Sequence, residues 1–175
     1  MRTAPELMSE IPFFSGQAAF ALRVRQASVT LYDQMDLCLQ AYELKLPAYA
    51  TSLVQALYHR GPASVSTLAE ELGLSHQLAS QRLRWLADEG LVGIGENPAD
   101  RRRRLVSLTA AGQVEAEKLQ TFLPKLERAY GDLFEEVGMD LHKGMVDARA
   151  ALTASPLLAR MQQDTGIPAA SSDAG

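Results

Sequence analysis

The stretch LSHQLASQRLRWLADEGLVGIGENPADRRRRLVSL, residues 74–108, decides the fold because its hydrophobic period changes once along its length. In residues 75–89 the apolar side chains recur every three or four positions, which predicts an amphipathic helix. Ser75 is a typical N-cap and Gly90 is typical of the position after a helix end, so both ends of this helix are marked. After Gly90 the pattern becomes strand-like, and β structure is expected to follow the helix.

That β structure is predicted to be a hairpin carrying four consecutive arginines. Strand-like segments at 91–94 and 105–108 flank a turn at 97–100, and the loop is longer than a minimal hairpin needs. From Ser75 to Arg104, six arginines and four acidic residues give a charge of +2, so the rest of a chain of net charge −4 carries −6. A basic cluster on an acidic protein indicates a focused anion-binding surface.

A short helix precedes residues 75–89 and completes a helix-turn-helix. Thr67 and Glu70 have the spacing of a capping box for that short helix, and Gly73 supplies the turn after it. Two helices joined by a glycine turn and followed by a hairpin predict a winged helix-turn-helix, which we place at residues 47–112.

Long helices are predicted on both sides of this domain, so the chain is expected to be mainly α-helical with one small β-hairpin. Residues 17–46 are placed as a dimerisation helix. Within them, residues 17–42 carry an apolar stripe about 40 Å long, which one small domain cannot easily bury, and a partner chain is a natural cover. Residues 113–162 continue as helices, with Pro124 expected to kink or divide the first. Residues 1–16 and 163–175 are expected to be a flexible arm and a disordered tail. The residues assigned to dimerisation are Phe20, Val24, Leu31, Leu141, Met145 and Leu152.

Several classes of protein are disfavoured by the sequence. The chain has one cysteine, no apolar run of about 18 residues and no secretory signal pattern, so we expect a soluble cytoplasmic protein that does not enter a membrane. Phosphate-loop, zinc-protease and serine-nucleophile motifs are missing, and the three histidines lack metal-ligand spacing. We therefore expect no enzymatic activity, no metal site and no cofactor.

The outward face of the helix at residues 75–89 is suited to contact DNA bases. Its side chains are short or medium hydrogen-bonding groups, with no acidic residue before Asp88. The major groove admits one helix, where glutamine can pair with adenine and arginine with guanine. The residues expected to contact bases are Ser75, His76, Gln77, Ser80, Gln81 and Arg84.

The hairpin and the helices before it resemble the MarR family of bacterial transcriptional regulators. The wing motif of that family is matched by D-x-R at 100–102, five residues, and then L-T-x-x-G at 108–112. Residues 68–92 also look like the helix-turn-helix of the family.

The resemblance implies a sequence-specific regulator of transcription, most often a repressor released by a ligand. It implies that Asp100 braces Arg102, which enters the minor groove of double-stranded DNA. It further implies a homodimer with intertwined terminal helices, each winged domain contacting one half-site of a pseudopalindromic operator. The wing residues expected at the DNA are Asp100, Arg101, Arg102, Arg103 and Arg104.

Two residues depart from the family pattern. Arg82 stands where an apolar residue is usual, and Leu78 where a small polar one is frequent. Either the helix is slightly rotated or Arg82 extends toward a phosphate.

The effector and the redox role of the cysteine stay open at this stage. A small aromatic or phenolic effector often binds family members between the dimer helices and the winged domain. Tyr32, Tyr42, Tyr49 and Tyr58 are candidates to line such a pocket or to be ordinary core aromatics, so no effector residue is assigned. Cys38 falls on the apolar stripe, where a buried, unreactive thiol is expected rather than an oxidation sensor.

A protein-interaction module is the alternative function. Winged helices also bind other proteins, and an acidic body suits that use. A protein-binding wing would present exposed apolar anchors, and Trp85 is the one residue here suited to that part. We expect Trp85 instead to pack against the wing or the dimer helices.

Overall fold

The computed structural model describes residues 16–97 and 100–165, and their side chains outside 96–103 and 163–165. The expected N-terminal arm lies outside the described residues except for Gly16. The chain divides into two compact units between Leu123 and Pro124, and each unit is described by itself.

The described chain is mainly helical with one antiparallel hairpin, which confirms the predicted fold class. Single turns of 3-10 helix occur at Gln17–Ala19 and Ala48–Ala50. The helices are α1 Phe20–Ala41, α2 Thr51–Arg60, α3 Val65–Leu72, α4 His76–Asp88, α5 Ala110–Val137, α6 Leu141–Ala154 and α7 Leu157–Thr165, and the strands are β1 Val92–Asn97 and β2 Asp100–Leu108. Among the described residues, every helix is too short or too polar to span a lipid bilayer.

Helix α1 ends close to Tyr42, where the predicted apolar stripe ends, and few of its residues are buried. It stops at Ala41, and Glu43 then adopts a φ of 56°, the left-handed conformation that turns the chain out of a helix. Only Leu39 of its 22 residues is buried. The long apolar stripe of α1 is therefore left uncovered by its own chain.

The start of α3 differs from the expected capping box. Its N-cap is Ser64, whose side-chain oxygen accepts a hydrogen bond from the amide of Thr67 at 3.1 Å. Thr67 is thus inside the first turn rather than before it, and the prediction that it opens a capping box with Glu70 was wrong. The helix begins earlier because Ser64 satisfies an amide that would otherwise lack a partner.

The wing is attached to the helices by a short bridge that the sequence pattern does not reveal. Ala63, between α2 and α3, exchanges two backbone hydrogen bonds with Val106 of β2, at 3.0 and 2.8 Å. Ala63 and Val106 are both buried. The bridge is thus part of the core of the first unit, whose largest fully buried side chains are Leu39, Leu53, Leu68, Leu86, Leu119, Val54 and Val106.

Helix α5 runs through Pro124 as one helix, so of the two expected outcomes, a kink or a division, the division was wrong. Proline removes one amide donor, but tertiary packing usually outweighs a local loss of this kind. The turns just before Pro124 are packed, with Ala116, Leu119 and Phe122 buried.

The second unit has no interior of its own. No side chain in residues 124–162 is buried, and α6 has no buried residue at all. Helix α7 continues to Thr165, which corrects the expectation that the disordered tail begins at residue 163. The rest of that tail, residues 166–175, lies outside the described residues.

Candidate nucleic-acid interface

Helix α4 is fixed by its buried face and its N-terminal cap. Ala79, Leu83 and Leu86 are buried, as the helical period predicts. The Ser75 hydroxyl accepts a hydrogen bond from the amide of Leu78 at 3.2 Å and so caps the helix. These contacts determine which face of α4 remains free.

The opposite face of α4 is open to solvent and contains the side chains predicted to contact bases. Ser80 is half-buried, and its hydroxyl lies 3.5 Å from Nδ1 of His76. Asp88 is exposed at the last position of the helix, three turns from its start. The exposed members of the predicted set are Ser75, His76, Gln77, Gln81 and Arg84.

The arginines of the wing occupy an irregular part of β2. Glu96 pairs with Arg104 and Asn97 pairs with Asp100, so residues 101–103 lie between two positions that face neighbouring residues of β1. An irregularity of this kind bends a strand and redirects its side chains. Arg104 is exposed. The side chains of Asp100, Arg101, Arg102 and Arg103 lie outside the described ones, and the proposed brace between Asp100 and Arg102 stays a prediction.

Arg82 does not extend toward the surface where a phosphate would bind. Its Nη1 atom donates a hydrogen bond to the backbone oxygen of Tyr49 at 2.9 Å, and its Cζ atom lies 5.5 Å from the centre of the Tyr49 ring. Arg82 is half-buried in this position. The guanidinium points from α4 back into the domain because a carbonyl and an aromatic face are available there.

An open cleft of about 720 Å³ lies beside this contact, within the first unit. Glu115 is buried behind it, where it accepts a hydrogen bond from the amide of Lys45 at 2.7 Å and pairs with Lys118 at 2.8 Å. The residues lining the cleft are Asp36, Gln40, Glu43, Leu44, Lys45, Leu46, Pro47, Trp85 and Lys118.

The four tyrosines considered for a pocket do not line this cleft. Tyr42 packs edge-on against Phe122 with ring centres 5.3 Å apart, and Tyr49 packs against Trp85 at 6.1 Å. Tyr58 contacts His59, and Tyr32 is exposed on α1. Trp85, which the sequence favoured as a packed side chain over an anchor for a protein partner, is half-buried and forms part of the cleft wall.

The apolar residues assigned to dimerisation are not hidden within the chain. Val24 is half-buried, whereas the others are exposed. Cys38 is exposed as well, which corrects the expectation of a buried thiol, because α1 has no covering element at that point in this single chain. The exposed members of the dimerisation set are Phe20, Leu31, Leu141, Met145 and Leu152.

The fold and this exposed helix define a winged helix-turn-helix protein. Residues 45–103 match the sequence model of the MarR family. This match covers the winged domain and confirms the resemblance that the wing and helix-turn-helix motifs indicated.

Solved structures with this fold extend the likeness beyond the winged domain. A probable transcriptional regulator from Pseudomonas aeruginosa has a TM-score of 0.57 and 23% identity, over 81% of this chain and 98% of its own. The heme sensor protein PefR from Streptococcus agalactiae, in complex with heme, has a TM-score of 0.55 and 20% identity, over 86% and 97%. A MepR-like protein complexed with pseudoligands has a TM-score of 0.57 and 20% identity, over 77% and 92%. At these identities the likeness concerns the fold alone, and no curated protein matches the chain.

Proposed function

We propose that this protein is a cytoplasmic, sequence-specific DNA-binding regulator of transcription. The observation that carries the proposal is the free face of α4, where exposed hydrogen-bonding side chains follow one another with no acid before Asp88. A helix N-terminus also presents a partial positive charge to a phosphate, and Ser75 is exposed at that end. In this proposal α4 contacts bases, Arg102 enters the minor groove and the neighbouring arginines bind phosphates.

The proposal includes a homodimer on a pseudopalindromic operator. Its support is the apolar surface that the chain leaves open. Helix α1 buries one residue of 22, and residues 124–162 bury none. Burial of apolar area is the main stabilising contribution to folding, so helices of this kind need a cover, and a second copy supplies one by symmetry. Two copies of α4 would then meet half-sites one helical turn apart, or a multiple of it.

The proposal also includes repression that a small aromatic or phenolic effector relieves. Its support is the open cleft beside α4, to which that helix itself contributes Trp85. A flat aromatic molecule can stack on an indole, and Lys45 and Lys118 offer partners for an acidic group.

The test is the recovery of sheared genomic DNA from the source organism by the purified protein at physiological salt, followed by sequencing. We expect a few strongly enriched fragments that share an inverted repeat. Fragments recovered evenly along the genome would contradict sequence-specific binding. A variant with Gln77→Ala and Gln81→Ala is the matched control, because it keeps the charge of α4 and removes two groups that would contact bases.

The alternative, a winged helix that binds only proteins, has less support. The anchor that it requires is Trp85, and Trp85 packs against Tyr49 and lines the cleft. The free face of α4 is polar instead of apolar, which is unlike the centre of a protein interface.

A further inference from the structure

Arg82 contacts Tyr49 in two ways through its guanidinium group. It donates a hydrogen bond to the Tyr49 carbonyl oxygen at 2.9 Å, and it lies over the Tyr49 ring at 5.5 Å. Lysine carries the same charge but has neither the fork of donors nor the flat face. Residues 49 and 82 are 33 positions apart, so this contact joins two separate elements of the winged domain.

The 3-10 turn Ala48–Ala50, which contains Tyr49, is also bonded to α1. The carboxylate of Asp36, on α1, accepts a hydrogen bond from the amide of Ala48 at 2.6 Å. Trp85, almost one turn beyond Arg82 on α4, packs edge-on against the Tyr49 ring. The 3-10 turn Ala48–Ala50 therefore contacts both α1 and α4. We call the five residues that make these contacts the Tyr49 anchor: Asp36, Ala48, Tyr49, Arg82 and Trp85.

We propose that Arg82 is a positioning residue, which sets the orientation of α4 through the Tyr49 anchor and does not contact the DNA backbone. This inference rests on the proposed function, because it assigns a cause to the placement of the helix that contacts bases. Both α1, which presents the uncovered apolar stripe, and α4 hold the same turn. The anchor thereby relates the recognition helix to the helix on which a second copy would pack.

The anchor also borders the cleft. Asp36 and Trp85 belong to both, so a molecule in the cleft touches each end of the anchor.

The experiment uses three single substitutions in the full chain. Arg82→Lys keeps the charge and removes the planar contacts, Arg82→Gln removes the charge, and Arg60→Lys is the control. Arg60 is an exposed arginine on α2 that pairs with Glu71. Each protein is assayed for operator affinity over a range of salt concentrations, for thermal unfolding, and for the fluorescence of Trp85 without DNA. Trp85 is the only tryptophan of the chain, so all tryptophan emission comes from this one residue of the anchor.

We expect Arg82→Lys to lower operator affinity about tenfold, the equivalent of one charge-assisted hydrogen bond. Arg82→Gln lowers affinity similarly and leaves the slope of log affinity against log salt unchanged, because no phosphate contact is lost. Both variants change the emission of Trp85 at temperatures where they are folded, and Arg60→Lys changes neither property.

Where the wild type binds an operator, two results with DNA would overturn the inference. One is wild-type affinity and emission in Arg82→Lys, since a lysine can replace an arginine at a phosphate but not in the anchor. The other is a salt slope that falls by about one in Arg82→Gln, which is the effect of losing one phosphate contact. If the wild-type protein selects no operator, the proposed function fails and the positioning role fails with it. Unchanged Trp85 emission in both Arg82 variants would instead refute the anchor without any DNA measurement.

Discussion

Thr109 and Gly90 close the base of the wing: the Thr109 hydroxyl donates a hydrogen bond to the Gly90 carbonyl oxygen at 2.7 Å. The same hydroxyl accepts a hydrogen bond from the amide of Gly112 at 3.0 Å and so caps α5. The amide of Thr109 also donates to the Leu91 oxygen at 3.0 Å. One side chain thus ties the glycine that follows α4 to the start of α5. The L-T-x-x-G motif at 108–112 therefore has a structural role in holding the hairpin.

Gly112 is expected to tolerate no side chain. A Cβ atom there would lie 1.9 Å from the Leu91 oxygen and 3.3 Å from a methyl carbon of Leu108. Gly112→Ala should lower the free energy of unfolding by about 3 kcal/mol, as overpacking against backbone does, measured by urea denaturation. Gly131→Ala is the control in the same helix, where an added Cβ meets nothing within 4 Å. That substitution should be neutral or stabilise by up to about 1 kcal/mol. Equal effects at the two glycines would contradict the close packing at Gly112.

Thr109→Val tests the hydroxyl at the base of the wing. Valine keeps the shape of threonine and removes both side-chain hydrogen bonds, so unfolding free energy should fall by about 1–2 kcal/mol. Thr121→Val is the matched control, because that hydroxyl is exposed and bonds only to the Lys118 carbonyl oxygen of its own helix. Chemical denaturation of both variants checks the difference. A loss at Thr121 as large as that at Thr109 would refute the assignment.

Arg102→Ala tests the wing as a DNA-binding element. Operator affinity should fall for every operator sequence. The slope of log affinity against log salt should also become shallower by about one, because the variant makes one contact fewer in the phosphate region and so releases fewer counterions. Fluorescence anisotropy with labelled duplexes measures both quantities. The control is Lys143→Ala, which removes one positive charge from α6, where Lys143 pairs with Asp147. Unchanged affinity of Arg102→Ala at physiological salt would exclude the wing from the interface.

The uncovered face of α6 is expected to form part of a dimer interface. Leu141 and Met145 are 38% and 45% exposed although they lie on the apolar stripe of this helix. A double variant with Leu141→Asp and Met145→Asp should sediment as a monomer at concentrations where the wild type is a dimer, because carboxylates in an apolar interface are desolvated. Asp147→Asn on the same helix should leave the dimer intact. A double variant that sediments like the wild type would remove α6 from the interface.

The parts of the fold that were predictable are those that local pattern determines. The buried face of α4, with Ala79, Leu83 and Leu86, follows from the helical period, and the cap at Ser75 follows from residue type. The cap of α3 was assigned to the wrong residue because Ser64 and Thr67 are both good caps three positions apart. Local preference alone does not rank two such candidates.

The parts that were not predictable depend on contacts between distant residues. Nothing local to Ala63 marks its bridge to Val106, and nothing local to Arg82 marks its contact with Tyr49. The helical period placed Cys38 on an apolar stripe. The period alone does not distinguish a face that is buried within its own chain from a face that a second molecule would cover. The departure of Arg82 from the family pattern was the only sequence signal for the Tyr49 anchor, and a sequence gives no direction for an arginine side chain.

The central claim, that the free face of α4 selects DNA sequence, is tested most directly by selection from a random-sequence duplex library. The protein is first unfolded and refolded to remove any bound small molecule, and selection is carried out at physiological salt. We predict that the wild type enriches one inverted repeat and that the Gln77→Ala, Gln81→Ala variant loses that preference while it keeps weak, salt-sensitive binding. A wild-type protein that enriches no sequence from such a library would contradict the account.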